Sequence, residues 1–309
     1  MSRLSLLVAA GAVLLALLAF DHLAPRTAAR IATGFERMRA GLRAHRLQVG
    51  AASMPYLDGG RGAPIVLVHG FGGDKDNFTR AARFLTPSYR VLIPDLPGFG
   101  EASRDSGAGY AIADQVARLH AFLQQLGIVG RVHLGGNSMG GFIVAEYAAR
   151  YPAQVASLWL LDAAGTAAAY DNALFRHYRH SGAMPLLLRC ADDFDAMLRA
   201  CTFRPPALLP HSVKWQLGQR GAADFALHTR IMAEMAASPL LEQQFSTIAT
   251  PALIVWGDQD SILNPSGAAA LHALMPNSEV VMMANLGHLP MLEAPRASAE
   301  RYLAFLRRL

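Results

Sequence analysis

The feature that most constrains the fold of this chain is the glycine-rich segment GNSMG at positions 136–140. It follows an apolar run at 132–134 and opens a helical pattern that extends to position 151. A serine between two such glycines, placed between a strand and a helix, predicts a sharp turn that exposes Ser138 at the carboxyl edge of a sheet. The residues expected to shape this turn are Gly136, Asn137 and Gly140.

A serine in such a turn is positioned to act as a nucleophile. The helix that starts at Met139 directs the positive end of its dipole toward a developing negative charge. The segment HGFGG at positions 69–73 ends an earlier predicted strand, where this arrangement supplies a second oxyanion donor. We therefore expect the backbone N–H groups of Phe71 and Met139 to form an oxyanion hole.

Two late segments supply candidates for a general base and for the acid that orients it, in the order serine, acid, histidine. LGHLP at 286–290 follows an apolar strand and places His288 at the same sheet edge as Ser138. WGDQD at 256–260 follows another strand, and a short turn would bring Asp260 toward His288. Asp260 is the expected acid because that carboxylate must reach Nδ1 of the histidine. The alternatives for the acid are Asp258 and Asp162.

Short apolar runs alternate with helical patterns through most of the chain, which predicts an α/β fold with a mostly parallel central sheet flanked by helices. The predicted strands are 65–69, 91–94, 132–134, 157–161, 253–256 and 280–283. The predicted helices are 78–85, 112–126, 139–151, 266–274 and 297–306.

The alternation stops between positions 167 and 247, where aromatic residues and methionines are scattered through a helical stretch without a strand pattern. We predict a helical cap over 167–247, inserted into a catalytic domain formed by 47–166 and 248–309. Cys190 and Cys201 lie in the cap, where they are either free thiols or, in an oxidising compartment, a disulfide. No cluster of cysteine and histidine indicates a metal, and we expect no cofactor.

The net charge of +5 is concentrated in one segment. Residues 26–46 carry six arginines and one glutamate, so the remaining chain is neutral overall. A basic pI that arises from one short segment does not support nucleic-acid binding by the domain.

The N-terminus begins with an apolar run at residues 4–20, in which Ser5 is the one polar residue. Its length fits either a short membrane span or the core of a signal peptide. Because the run ends in Ala19, Phe20 and Asp21 rather than in a small-residue cleavage site, we favour an uncleaved anchor over residues 1–25. Secretion after signal-peptide cleavage is the alternative.

The arginine-rich segment 26–46 carries apolar residues at helical spacing, namely Ile31, Phe35, Met38 and Leu42. The pattern predicts a basic amphipathic helix over 28–46 that lies on an anionic membrane surface. The alternative is a helix that packs on its own domain.

The chain resembles the bacterial family V lipases from about residue 50 to its C-terminus. The similarity lies in six segments: HGFGGDKDNFTR (69–80), IPDLPGFG (93–100), GGNSMGG (135–141), SLWLLDAAG (157–165), VWGDQD (255–260) and GHLPMLEA (287–294). The resemblance implies the α/β-hydrolase fold, hydrolysis of carboxylic esters of lipids, and a catalytic triad of Ser138, Asp260 and His288.

The chain is also similar to inner-membrane-anchored phospholipases A of Gram-negative bacteria, which carry the same kind of N-terminal helix. That resemblance implies a single-pass anchor in the inner membrane with the catalytic domain in the periplasm. An exposed N-terminal helix would also allow two chains to form a homodimer.

Two other functions compete with lipid-ester hydrolysis. Carbon–carbon bond hydrolases of aromatic degradation use a similar GNSMGG turn, but their HGxGPG segment has a proline where this chain has HGFGGD. A catalytically inactive binding protein is the second alternative. It would be expected to lack a triad residue, and all three are present.

Overall fold

A computed structural model describes residues 3–206 and 209–309 and contains a central eight-stranded sheet. The strands are β1 (Leu42–Val49), β2 (Ala52–Gly59), β3 (Pro64–Val68), β4 (Arg90–Pro94), β5 (Val132–Asn137), β6 (Val155–Leu161), β7 (Ala252–Gly257) and β8 (Ser278–Met283). Their order is β1-β2-β4-β3-β5-β6-β7-β8, with the β1–β2 and β2–β4 pairs antiparallel and the rest parallel. The predicted α/β fold with a mostly parallel sheet is confirmed.

Helices cover both faces of the sheet, form the cap and precede the sheet at the N-terminus. They are α1 (Arg3–Leu23), α2 (Pro25–Arg39), α3 (Thr79–Leu85), α4 (Ile112–Gln125), α5 (Met139–Arg150), α6 (Ala167–Tyr170), α7 (Ala173–Ser181), α8 (Asp193–Cys201), α9 (His211–Ala223), α10 (Phe225–Ala237), α11 (Leu241–Gln244), α12 (Gly267–Leu274), α13 (Pro290–Glu293) and α14 (Pro295–Leu306). Short 3₁₀ turns occupy Lys75–Phe78 and Pro152–Gln154.

The apolar runs of the central strands are explained by burial on both faces. All six residues of β7 are buried. Helices α3 and α14 contribute to the core on one face of the sheet, and α4, α5 and α12 contribute to the core on the other. Parallel strands that are buried on both faces consist of continuous apolar residues, so they were recognisable from the sequence.

The helix predicted over 28–46 is wrong in its second half. Helix α2 ends at Arg39, and Leu42–Val49 form the edge strand β1. Gly41 adopts a positive φ of 67°, which ends the helix and turns the chain into the sheet. Leu42 is buried in the sheet core instead of extending the exposed face of a helix. The sheet therefore begins at Leu42, and the predicted domain boundary at residue 47 falls inside β1.

Between β6 and β7 the described residues form helices α6–α11 and no strand. Two ion pairs fasten this cap to the loops below it. Arg104 forms a bidentate pair with Asp224, at 2.6 and 2.7 Å, and Arg220 pairs with Asp74. Cys190 is exposed, Cys201 is buried, and both are free thiols.

The N-terminal helix α1 contains a segment, Ser5–Leu23, that is long and apolar enough to cross a membrane, and none of it is buried against the described chain. At about 1.5 Å per residue, such a segment is close to the thickness of a bilayer hydrocarbon core. The end of α1 contacts the cap. The Asp21 carboxylate accepts hydrogen bonds from the backbone N–H groups of His211 (2.8 Å) and Ser212 (3.2 Å) at the start of α9.

One side of helix α2 packs on the domain, and the other side is exposed. Ala28 and Ala29 are buried, the helix packs on α9, and Arg37 forms a bidentate ion pair with Asp76, at 2.7 and 2.6 Å. Its large apolar residues instead face outward, with exposed fractions of 60% for Ile31, 52% for Phe35 and 66% for Met38. The helix therefore packs on its own domain, as the alternative interpretation expected, and it also presents an exposed apolar surface, while binding of that surface to a membrane stays a prediction.

A buried ion pair fixes the loop that follows β3. The Lys75 ammonium lies 2.8 Å from the Asp95 carboxylate, and both side chains are almost completely buried. Asp95 also accepts hydrogen bonds from the backbone N–H groups of Lys75 (2.7 Å) and Glu101 (2.8 Å). Burial opposes the charge of Lys75, but the neighbouring Asp95 and Asp74 outweigh it and raise the pKa of that lysine.

Asp95→Asn should lower the free energy of unfolding by about 3 kcal/mol, because it removes the buried carboxylate that contacts the buried Lys75 ammonium and leaves the exposed Glu101 as the remaining ion-pair partner. Asp58→Asn is the matched control, since Asp58 pairs with the more exposed Arg90 and should cost less than about 1 kcal/mol. Urea unfolding of the two variants measures the difference. Equal losses would contradict a structural role for the buried pair.

Candidate active site

Ser138 occupies a strained turn between β5 and α5. Its backbone has φ 55° and ψ −119°, a conformation that is unfavourable for a residue other than glycine. A Cβ atom on Gly136 would lie 2.3 Å from the carbonyl oxygen of Gly140, and one on Gly140 would lie 2.1 Å from that of Val68. The glycines therefore permit the close approach of chain segments that holds Ser138 at the sheet edge.

His288 and Asp260 are in direct contact. The His288 Nδ1 atom lies 2.8 Å from Asp260 Oδ2, and both side chains are buried. The other carboxylate oxygen, Oδ1, accepts from the backbone N–H groups of Ile262 (2.8 Å) and Leu263 (3.0 Å). Three donors thus stabilise the ionised carboxylate and hold it against the imidazole ring.

Asp258 lies apart from this contact. It is exposed, and its Oδ1 atom accepts from the backbone N–H of Asn285 at 2.7 Å. The structure therefore pairs His288 with Asp260 rather than with Asp258.

Two hydrogen bonds fix the backbone of His288. The Asn137 side-chain amide donates to the His288 carbonyl oxygen at 3.0 Å, and the His288 N–H donates to the Cys201 carbonyl oxygen at 2.9 Å. The first bond ties the histidine to the serine turn, and the second ties it to cap helix α8. The contribution of Cys201 is made by its backbone, so its side-chain type gave no signal in the sequence.

Phe71 and Met139 lie on the two segments expected to supply oxyanion donors. Met139 is the first residue of α5, where an N–H has no acceptor within the helix. Within residues 3–206 and 209–309, neither the Phe71 nor the Met139 N–H donates to another protein group. Both donors are therefore available to an oxygen atom of a substrate.

The loop that carries Phe71 is held on both sides. Burial opposes ionisation of Asp74, but Arg220 and Lys75 outweigh it and hold the pKa of that carboxyl at about 2. Burial lowers the pKa of His69, whose Nε2 atom accepts the Leu96 N–H at 3.1 Å. Charged partners and a neutral imidazole thus fix the loop.

A cavity of about 570 Å³ opens beside Ser138 and His288. Its walls come from the loop around Phe71, from helix α2 and from the cap. The apolar lining includes Leu186, Leu188, Phe194, Met197, Leu209, Val213, Leu217, Leu289 and Leu292. The cavity can therefore hold an extended apolar group with one end at the serine.

Asp162, Asp260 and His288 each place one ligand-type atom within 4.8 Å of the others. A metal is not required to explain this cluster, because the separation of 2.8 Å between His288 Nδ1 and Asp260 Oδ2 is that of a direct hydrogen bond.

The family model of the α/β-hydrolase fold matches residues 63–295. Lipase 1 of Psychrobacter immobilis is 40% identical, over 88% of this chain and 86% of its own length. Monoacylglycerol lipase abhd6-A of Xenopus laevis is 28% identical, over 97% of this chain and 94% of its own. The crystal structure of a membrane phospholipase A, described as a bacterial virulence factor, is 38% identical, covers 98% of both chains and has a TM-score of 0.88.

The fold and the match over most of the chain define the class: the chain belongs to the α/β-hydrolase family. Within that family it is a lipase-like carboxylic ester hydrolase, as the named lipases among its relatives show. The predicted family and enzyme class are confirmed.

Asp260→Asn should lower kcat for ester hydrolysis by orders of magnitude, because an amide at this position disturbs the tautomer and orientation of His288. Asp258→Asn is the matched control and should change kcat less than about threefold, since Asp258 only caps a surface turn. Steady-state kinetics on a p-nitrophenyl ester compare the two. The opposite ranking would transfer the role of the acid to Asp258.

Proposed function

We propose that this chain is a membrane-anchored serine hydrolase of the lipase and phospholipase A type, which cleaves acyl esters of glycerophospholipids or acylglycerols. The observation that carries the proposal is the shared cavity. It joins Ser138 and His288 to helix α2, whose outer surface is apolar.

The proposed chemistry proceeds through an acyl-enzyme on Ser138. His288 accepts the Ser138 hydroxyl proton at Nε2, because its Nδ1 atom is engaged by Asp260. The serine oxygen then attacks the ester carbonyl, and the N–H groups of Phe71 and Met139 stabilise the resulting oxyanion. The alcohol leaves with the proton from His288. Water, activated by the same histidine, hydrolyses the acyl-enzyme and releases the fatty acid.

The shape and chemistry of the cavity support a lipid substrate. Apolar side chains from α8, α9 and the segment between α7 and α8 line the cavity that opens at the serine, so an acyl chain can be enclosed away from water. Among the charged groups that line the cavity, Asp74 is paired with Arg220, and Asp76 is paired with Arg37.

Helix α2 supports delivery of that lipid from a membrane. Ala29, Ala32 and Thr33 line the cavity, whereas Ile31 and Met38 are exposed. A helix that lies in the membrane interface by its apolar side would place the cavity opening against the bilayer. A lipid could then enter without crossing bulk water.

Glycerophospholipids are the substrate class that we favour. Arg30 and Arg39 lie on α2 at the cavity, and cationic residues in this position attract anionic head groups. Relatives of this chain are named as a phospholipase A and as a monoacylglycerol lipase, so both ester classes occur in its family.

The contacts of residues 21–29 support an uncleaved anchor. Asp21 caps α9, and Ala28 and Ala29 are buried, so cleavage within this segment would remove contacts that the folded domain uses. We place the anchor in the inner membrane and the catalytic domain in the periplasm, as for the phospholipases that the sequence resembles. Pairing of two chains through the exposed helix α1 is compatible with this arrangement.

Purified full-length protein should hydrolyse p-nitrophenyl esters, phospholipids and acylglycerols, and Ser138→Ala should lower every activity by about 10³-fold or more. The variant should retain its melting temperature, because the hydroxyl makes no structural contact in the described chain. Near-normal turnover in folded Ser138→Ala would refute the mechanism.

The same assay tests whether the acyl chain of the substrate binds in the cavity. Leu217→Trp fills the apolar lining and should lower kcat/KM for medium-chain esters about tenfold while sparing acetyl esters. Gln219→Trp, on the exposed side of α9, is the matched control and should have little effect on either ester. Equal responses of the two variants would mean that the acyl chain binds elsewhere.

Full-length protein should sediment with membranes and resist extraction by high salt, because salt screens arginine contacts but leaves a buried apolar helix in place. A variant lacking residues 2–19 keeps Asp21 and α2. It should bind membranes more weakly and in a salt-sensitive manner while retaining p-nitrophenyl ester hydrolysis. If expression of the full-length gene instead yields soluble protein with an N-terminus near Ala24 or Ala28, α1 is a cleaved signal peptide.

A further inference from the structure

A second buried carboxyl group lies beside the triad. Asp162 follows β6, is fully buried and has an unusual positive φ of 44°. Its Oδ1 atom accepts the backbone N–H of Gly257 at 2.8 Å. Its Oδ2 atom is also buried and, within residues 3–206 and 209–309, finds no hydrogen-bond donor. An oxygen of Asp162, an oxygen of Asp260 and a ring nitrogen of His288 lie within 4.8 Å of one another.

The surroundings of Asp162 disfavour a negative charge. The titratable groups that face it are Asp260 on the loop after β7, His288 on the loop after β8, and Glu293 on α13. Two of these are acidic, and His288 is already bonded to Asp260. Burial, followed by the adjacent Asp260 carboxylate, raises the pKa of Asp162 well above its usual range.

The two carboxyls differ in the number of donors that stabilise a charge. Asp260 accepts from two backbone N–H groups and from His288, whereas Asp162 accepts from one N–H. When two buried carboxyls share one site, a single ionisation is favoured, and the better-solvated group carries it. A proton on Asp162 Oδ2 would also supply the donor that this atom lacks, and an oxygen of the Asp260 carboxylate lies within 4.8 Å of an Asp162 oxygen.

We infer that Asp162 is a neutral carboxylic acid that donates its Oδ2 hydrogen to the Asp260 carboxylate and acts as a positioning residue of the triad. The inference rests on the triad roles of the proposed function. Asp162 was one of the alternatives for the acid that orients His288. In this arrangement it acts on Asp260 and does not orient the histidine directly.

Two substitutions separate the hydrogen bond from other roles of Asp162. Asp162→Asn retains a donor and an acceptor, and asparagine tolerates a positive φ. It should keep kcat within about threefold of the wild type. Asp162→Gly relieves the backbone strain but removes the donor, so kcat should fall about tenfold or more while KM changes less than about twofold. Wild-type kcat in folded Asp162→Gly, or an inactive folded Asp162→Asn, would overturn the proposal.

The pH dependence of kcat/KM tests whether Asp162 is charged. The acid limb of kcat/KM reflects protonation of the base in the free enzyme. If Asp162 is neutral, Asp162→Asn leaves the charge around His288 unchanged, and the acid limb should move by less than about 0.3 pH unit. If Asp162 is ionised, the substitution removes a negative charge close to the imidazole and should shift the limb down by about one unit or more. The second result overturns the proposal.

An infrared difference spectrum of wild type minus Asp162→Asn at neutral pH measures the proton directly. We expect a carboxylic-acid C=O band in the wild type, and a carboxylate band in its place would refute the neutral acid. This measurement does not depend on catalysis. Failure of the proposed function, seen as turnover in Ser138→Ala or as failure of a fluorophosphonate probe to label Ser138, is therefore distinguishable from failure of this inference.

Discussion

The positive-φ turn at Ser138 is the constraint on which the site depends. The turn is possible because Gly136 and Gly140 let β5, α5 and the end of β3 approach closely. It costs conformational energy, and the mostly buried central strands β3, β5, β6 and β7 supply the packing that holds it. Once the serine is fixed at the carboxyl edge, the parallel strands β6, β7 and β8 bring Asp162, Asp260 and His288 to the same edge without further adjustment.

The cap participates in this arrangement as well as covering it. His288 donates its backbone N–H to the Cys201 carbonyl at the end of α8, and Arg220 of α9 pairs with Asp74 beside the Phe71 loop. Both the proposed base, His288, and one proposed oxyanion donor, Phe71, are therefore positioned partly by cap residues. Displacement of α8 and α9 would alter the orientation of the catalytic groups as well as access to the cavity.

Most of the fold and the grouping of Asp260 with His288 were predictable from the sequence, because continuous apolar strands and glycine-rich turns leave local patterns. The edge strand β1 was not, since LRAHRLQV places charged residues where alternation would be expected and its stability comes from pairing with β2. The role of Asp162 was also hidden. It depends on the approach of the loops after β6, β7 and β8, and Asp162 on the first of these loops lies 95 residues before its hydrogen-bond partner Gly257.

The bond from Asp21 to the start of α9 has a mechanical consequence. Helix α1 passes into α2 across Pro25, and both ends of this junction are fastened to the domain, by Asp21 at α9 and by Arg37 at Asp76. In the proposed membrane-anchored arrangement, these contacts hold the end of the apolar helix against the domain, so the helix would set the tilt and height of the cavity mouth. The rate at which the enzyme meets its lipid substrate would then depend on the number of lipids per unit area of membrane beside α1, rather than on their concentration in solution.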